Sequence, residues 1–86
     1  MKEVIVTVMF SNNGKKMGYD MEIPCNIPAS QICENIVETL NDYNRSFYLS
    51  SDGLSLSCHR LGRKLAKDET FEMAGIWNGD YIILGN

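Results

Sequence analysis

Long hydrophobic runs are missing from this sequence. The longest apolar stretch near its start covers residues 4–10 and is interrupted by Thr7, whereas a membrane-spanning helix needs roughly 20 apolar residues. The start also lacks the basic residues, the smooth apolar core and the small-residue cleavage site of a secretory signal peptide. We therefore expect a cytoplasmic location and no direct insertion into a membrane.

Paired cysteines are missing as well. Cys25, Cys33 and Cys58 are odd in number and form no Cys-x-x-Cys motif, so neither a disulfide framework nor a zinc site is indicated. We expect buried or half-buried free thiols in a reducing compartment, with no metal and no cofactor. A catalytic pair of Cys58 and His59 is not expected, because adjacent side chains of a strand point to opposite faces.

The sequence also lacks an excess of positive charge. Eight Lys and Arg stand against eleven Asp and Glu, which gives a net charge of −3 and disfavours nucleic-acid binding. The 86 residues are enough for one small domain, 1–86, and a domain of this size buries only about 60% of the surface that its unfolded chain exposes. Little of the chain is left to build a deep catalytic pocket. We expect a protein that is not an enzyme and has no catalytic residues.

The first part of the chain has the pattern of a β-hairpin. In residues 4–10, alternate positions place Val and Phe side chains on one face of an extended segment. In residues 17–23, apolar side chains alternate with Gly, Asp and Glu. These patterns predict two strands, the first of them central. Asn12-Asn13-Gly14 between them is typical of a tight turn. Pro24 has no amide hydrogen for a ladder and limits the second strand.

The period then changes to that of a helix. Ile32, Ile36 and Leu40 recur every four residues, which predicts an amphipathic helix from Ser30 to Asp42, capped by Ser30 or Gln31. After the helix, we predict a third strand at 47–49, a turn at Asp52-Gly53 and a returning strand at 54–58. In the last third, Thr70 is placed to cap a short helix over 71–74, Gly75 to end it, and Asn78-Gly79-Asp80 to form a turn before a final strand at 81–84.

This element order resembles the ubiquitin-like β-grasp fold. Seven residues fall without a gap opposite ubiquitin residues of the same or similar type: Gly62, Leu65, Thr70, Phe71, Ile76, Ile82 and Leu84. The resemblance implies an α+β fold, with a mixed sheet of four to five strands, one main helix packed across it and a short C-terminal helical turn.

Residues 73–84 resemble a narrower family. The run Gly75-Ile76-Trp77-Asn78-Gly79-Asp80 before an apolar strand is similar to the Gly-Ile-x-Asn-Gly-Asp ending of the YukD/EsaB family, small ubiquitin-like proteins of bacteria associated with type VII secretion. The resemblance implies a non-enzymatic accessory or regulatory protein that docks onto a cytoplasmic domain of the secretion machinery. It leaves the oligomeric state open.

The C-terminal residues bear on a different class of function. Ubiquitin and the sulfur carriers end in a flexible Gly-Gly tail that is adenylated, whereas this sequence reads Leu84-Gly85-Asn86. We expect no conjugation. Two alternatives to the secretion role stay open, namely a generic ubiquitin-like interaction domain and, less favoured, a β-grasp modifier or sulfur carrier.

Candidate protein-binding residues form one basic cluster and two apolar positions. The cluster consists of His59, Arg60, Arg63, Lys64 and Lys67; it is either a docking surface for an acidic protein or a solvated loop. Trp77 is either an exposed binding residue or packed locally, and Ile83 is predicted to share an exposed patch of the sheet with His59. Reversing the charges of Arg60, Arg63 and Lys64 is predicted to weaken docking without changing the thermal midpoint.

Overall fold

A computed structural model describes residues 2–12, 14–43 and 52–85 of the chain. Its elements, in chain order, are β1 (Glu3–Asn12), β2 (Lys15–Pro24), α1 (Ala29–Tyr43), β3 (Ser55–Cys58), β4 (Arg63–Lys64), α2 (Phe71–Ala74) and β5 (Tyr81–Gly85). The strands form one sheet in the order β2-β1-β5-β3-β4. Strands β1 and β5 run parallel and the other neighbours antiparallel. The predicted mixed sheet, with β1 inside it, is confirmed.

The core lies between α1 and one face of this sheet. Alternate residues of β1, from Val4 to Phe10, are buried on that face, as the period of a strand requires. The apolar stripe of α1 and the alternate residues Ile82 and Leu84 of β5 meet them there. The helix and the sheet each bury one face and expose the other. The apolar residues therefore follow the period of a helix in α1 and of a strand in β1, and both elements could be predicted from the sequence.

The first turn of α1 is capped by distant backbone. The amide of Ala29 donates to the carbonyl oxygen of Glu69 at 2.8 Å, and that of Ser30 to the carbonyl oxygen of Lys67 at 3.0 Å. The amides of Gln31 and Ile32 donate to the carbonyl of the residue before the helix. Helix N-termini leave four such donors without a partner. The predicted side-chain cap at Ser30 or Gln31 is therefore wrong, since both residues lie inside the helix.

The second helix has the predicted ends. The hydroxyl of Thr70 accepts a hydrogen bond from the amide of Met73 at 3.1 Å, and Gly75 adopts the left-handed conformation with φ of 75°. Both features match the ordinary chemistry of helix caps. After Gly75 the chain enters the loop that precedes β5, in which the side chain of Ile76 is buried.

The fourth strand, β4, was not predicted from the sequence. It consists only of Arg63 and Lys64, which pair with Cys58 and Ser57 of β3. Two charged residues carry no alternation, so no pattern identifies them as a strand. The strand predicted at 47–49 lies outside the described residues. The predicted turn at 52–53 is present, with Gly53 at φ of 74°.

None of the helices formed by residues 2–12, 14–43 and 52–85 is long and apolar enough to cross a membrane.

Candidate functional site

The loop before β5 continues the pairing of that strand with β1. The side-chain oxygen of Asn78 accepts from the amide of Ile5 at 2.8 Å, and the amide of Gly79 donates to the carbonyl of Ile5 at 2.8 Å. The amide of Thr7 then donates to the carbonyl of Asp80 at 3.0 Å. Asn78 therefore supplies a side-chain acceptor where the ladder needs one, and residues 78–80 of the loop are fixed to β1.

Asp80 ties the same loop to the turn between β3 and β4. Its buried carboxylate accepts from Nε of Arg60 at 2.9 Å and from Nη2 at 3.0 Å, and from the amide of Trp77 at 2.8 Å. Arg60 also donates to the carbonyl of Gly75 at 2.7 Å. The hydrogen bonds from Arg60 hold the pKa of Asp80 below its ordinary value, although burial acts against them. Two-pronged pairing of this kind is geometrically specific.

Trp77 stays largely exposed beside this pair. Its side chain is 63% exposed, and the guanidinium carbon of Arg60 lies 3.8 Å from its ring centroid. That distance is well within the range of a cation–π interaction. Trp77 is therefore packed locally against Arg60 and is otherwise largely exposed; its role as a binding residue stays a prediction.

Arg63 is engaged by a second carboxylate. Its Nη1 and Nη2 donate to the two carboxylate oxygens of Glu69 at 3.0 and 2.7 Å, and the amide of Ala66 donates to Glu69 at 3.0 Å. These bonds lower the pKa of Glu69 to about 2, with the Arg63 side chain as the largest cause. The Glu69 backbone in turn caps α1, so this ion pair braces the loop that holds the helix N-terminus.

The lowered pKa of Glu69 gives a prediction for acid conditions. A group whose pKa is lower when folded adds stability above its unfolded pKa and loses that contribution as the pH falls through the folded value. We expect Glu69→Gln to destabilise the protein modestly at pH 7, by an amount that shrinks as the pH falls from about 4.5 toward about 2. Urea unfolding of both proteins across that range measures it; a difference that does not vary with pH would contradict the assignment.

The face of the sheet opposite α1 is exposed and partly apolar. We call it the outer face; residues that share a register row in β1, β5, β3 and β4 point to the same side, and Met9, Ile83, Ser57 and Lys64 form one such row. Its large exposed apolar side chains are Ile5, Tyr81 and Ile83. A shallow concavity of about 600 Å³ there is lined by both His59 and Ile83.

The outer face brings together only part of the predicted set. His59, Lys64 and Ile83 lie on it or line its concavity, whereas the charged groups of Arg60 and Arg63 are held in ion pairs. Lys67 is exposed in the loop that caps α1. Ile5, Met9 and Tyr81 also belong to this face and were not among the predicted residues. The alternation of β1 and β5 could have identified them, because the predicted core positions of both strands are even-numbered and the odd-numbered residues face the other side.

The three cysteines are buried as free thiols, as predicted. Burial raises the pKa of the Cys33 thiol, which disfavours the reactive thiolate. Within the described part of the chain, no three His, Cys, Asp or Glu side chains come together as a set that could hold a metal ion.

Solved structures of ubiquitin-like proteins resemble this fold. A ubiquitin of Caldiarchaeum subterraneum is 19% identical with a TM-score of 0.72, covering 96% of this chain and 91% of that one. The ubiquitin-like domain of the Mycobacterium tuberculosis type VII secretion system protein ECCD1 is 18% identical with a TM-score of 0.71, and both chains are covered completely. A chain of the ESX-3 core complex is 20% identical with a TM-score of 0.72; the match covers 98% of this chain but 18% of that one. These likenesses establish the ubiquitin-like β-grasp fold.

The sequence itself matches a narrower group. No curated protein matches it. A family model described as "WXG100 protein secretion system (Wss), protein YukD" matches residues 4–84, which include every strand and helix except the outermost residues of β1 and β5. The chain therefore belongs to the YukD family of ubiquitin-like proteins, which is related to components of type VII secretion.

Proposed function

We propose that this chain is a non-enzymatic docking component of a bacterial type VII secretion system. It acts in the cytoplasm, binds a cytoplasmic domain of the secretion machinery and is not conjugated to other proteins. The match to the YukD family over residues 4–84 carries this proposal. Likeness to part of an ESX-3 core complex chain supports it, because it places a domain of the same fold within secretion machinery.

The outer face is the proposed docking surface. Ile5, Tyr81 and Ile83 are 55%, 51% and 41% exposed, and exposed apolar side chains that share one face supply the desolvation energy that an interface needs. His59 and Lys64 give its β3–β4 side a basic character. The partner surface should therefore be apolar in its centre and acidic where it meets this side, since complementary charge speeds association and fixes orientation.

Trp77, Arg60 and Arg63 take a supporting part in the proposal. Arg60 holds the Trp77 ring in one orientation, and an aromatic side chain that is already ordered loses little entropy on binding. Trp77 is proposed as a second contact for the partner. The ion pairs of Arg60 and Arg63 give these residues a structural role as well, so reversing their charges would disturb the fold and the docking together.

We also propose that the chain is not conjugated, and the pairing of β5 with β3 supports this part of the proposal. Gly85 pairs with Ser55 of β3, and its carbonyl accepts a hydrogen bond from the Ser55 hydroxyl at 3.1 Å. Leu84 and Gly85 are thus held within the sheet, and neither belongs to a Gly-Gly pair such as conjugated ubiquitin-like proteins use.

The test is purification of the N-terminally tagged protein from its native host, under native and under fully denaturing conditions. We expect secretion subunits to copurify under native conditions and to be absent after denaturation, with the intact mass of the protein unchanged. Mass adducts that survive denaturation and are linked through the C-terminus would overturn the proposal in favour of a modifier. Specific partners unrelated to secretion would favour the generic interaction domain.

A pair of substitutions tests the surface. Ile83→Asp places a charge in the centre of the outer face and is expected to reduce recovery of the partner at least about tenfold. Met73→Asp is the matched control, because Met73 is also apolar and is 72% exposed but lies on α2. Both variants must keep the circular dichroism spectrum of the parent protein. Equal recovery with both would contradict the assignment of the outer face.

A further inference from the structure

We propose that two copies of this chain pair through their outer faces to form a symmetric dimer. The proposal goes beyond the docking role and does not depend on it. Because both use the outer face, a docked secretion partner takes the place of the second copy. It rests on three features of the outer face: an acidic corner, a basic edge on the opposite side of the sheet, and an apolar area between them.

The acidic corner lies where β1 and β2 meet. Glu22 stands directly opposite Ile5, and Asp20 opposite Thr7, whose hydroxyl donates to the Asp20 carboxylate at 2.6 Å. Glu3 belongs to the same face by the alternation of β1. The pKa of Glu3 is raised, mainly by a side-chain hydrogen bond with Glu22 and secondly by repulsion between the two carboxylates. Two carboxyl groups in this arrangement gain from a nearby cation.

The basic edge lies on the other side of the sheet. Lys64 of β4 shares a row with Ser57 and Ile83, and His59 follows β3 at the rim of the concavity. β2 and β4 are the outermost of the five strands that the described residues form. Four strand spacings of about 4.8 Å separate the acidic corner from the basic edge by roughly 19 Å. Lys16, opposite Ser11 of β1, lies on the same face at the other end of β2. The negative charge is therefore confined to the corner, and the surface is bipolar along its diagonal.

A bipolar face is complementary to a second copy of itself. In a two-fold dimer each contact occurs twice, so Glu22 of one copy can meet Lys64 of the other on both sides of the axis. The apolar side chains Tyr81 and Ile83 lie between these charges and are buried by the same arrangement. A uniformly basic or acidic face would instead repel its own copy.

The small size of the face limits the strength of the dimer. The face measures about 20 by 20 Å, or about 400 Å² per copy, if strand spacing and residue rise have their usual values. This is about half of the roughly 800 Å² per partner in a standard interface. We therefore expect a weak, salt-sensitive dimer with a dissociation constant on the order of 100 µM.

Sedimentation of the purified full chain between about 10 µM and 1 mM tests the proposal, because this range brackets the expected constant. Glu22→Lys and Lys64→Glu are each expected to weaken the dimer at least about fivefold, since like charges then face each other. Glu38→Lys on α1 and Lys67→Glu in the capping loop change the net charge equally outside the outer face. These controls should associate like the parent protein.

Mixing the two outer-face variants gives the sharpest outcome. A mixed dimer of Glu22→Lys with Lys64→Glu has opposite charges at both contacts, so we expect the mixture to regain association that neither variant shows alone. A monomer at every concentration would overturn the proposal, as would a dimer that is insensitive to both variants or is not regained by mixing. Because only this chain is present, such a failure leaves the host purification test of docking unaffected.

Discussion

Replacing Asp80 with asparagine is expected to lower the free energy of unfolding by about 2–3 kcal/mol. The side chain is 7% exposed and accepts hydrogen bonds from both Arg60 and the Trp77 amide. Asparagine keeps the size of the side chain but removes its charge and turns one acceptor into a donor that faces Arg60. The loss stays below the 3–5 kcal/mol of a fully buried pair, because a third of the Arg60 side chain is exposed and water can partly replace the carboxylate.

Urea unfolding at pH 7 measures this loss. Asp68→Asn is the matched control, because Asp68 is an exposed carboxylate, and surface substitutions of this kind change stability by about 0.5 kcal/mol or less. Arg60→Lys is a second probe, since it keeps the charge and removes the two-pronged geometry. If Asp80→Asn and Asp68→Asn proved equally stable, the loop before β5 would not depend on the Arg60–Asp80 pair.

Gly79→Ala is expected to cost about 1–2 kcal/mol. Gly79 has φ of +88°, and a Cβ atom built on it would meet nothing within 4 Å. The cost therefore comes from the backbone, because an L-residue is strained at this dihedral angle. The amide of Gly79 cannot relax freely, since its hydrogen bond to the Ile5 carbonyl joins the loop to β1.

Gly85→Ala separates backbone strain from the general effect of adding a methyl group. A Cβ atom at Gly85 also has open space, but Gly85 lies in β5 and lacks the positive φ of Gly79. We expect its stability to change by about 0.5 kcal/mol or less, in either direction. Equal losses for the two variants, measured by the same urea titration, would refute the strain explanation.

The motif at residues 75–80 thus has a structural explanation. Gly75 ends α2, Ile76 enters the core, and Asn78 and Gly79 bond to β1. Asp80 then holds the turn between β3 and β4. Since five of its six residues stabilise the fold, the presence of the motif indicates the fold of the domain and does not identify a binding partner. Trp77 is the member whose side chain is largely open to solvent.

The elements predictable from the sequence are those with a local signal. Alternation gave the two strands of the hairpin, the four-residue period gave α1, and the Thr70 and Gly75 caps gave α2. Each signal lies within a dozen residues, and burial on one face preserves it in the sequence.

The features that could not be predicted depend on residues distant in sequence. The capping of α1 by the carbonyls of Lys67 and Glu69 joins positions about forty residues apart, and β4 exists because β3 lies beside it. Arg60 and Arg63 read as members of a basic surface because their carboxylate partners are brought to them by the fold. For the site, the alternation of β5 placed Ile83 on the face away from the core. The same reasoning applied to β1 would have placed Ile5 and Met9 on that face as well.

The docking of a secretion partner on the outer face is the central claim. Its most direct test is an NMR titration of the ¹⁵N-labelled chain, kept dilute enough to be monomeric, with the soluble domain of the captured secretion subunit. The account predicts that amide signals of Ile5, Lys64, Tyr81 and Ile83 shift on binding, while those of the exposed α1 residues Glu34 and Glu38 stay in place. Shifts confined to α1, with the signals of the outer face unchanged, would contradict it.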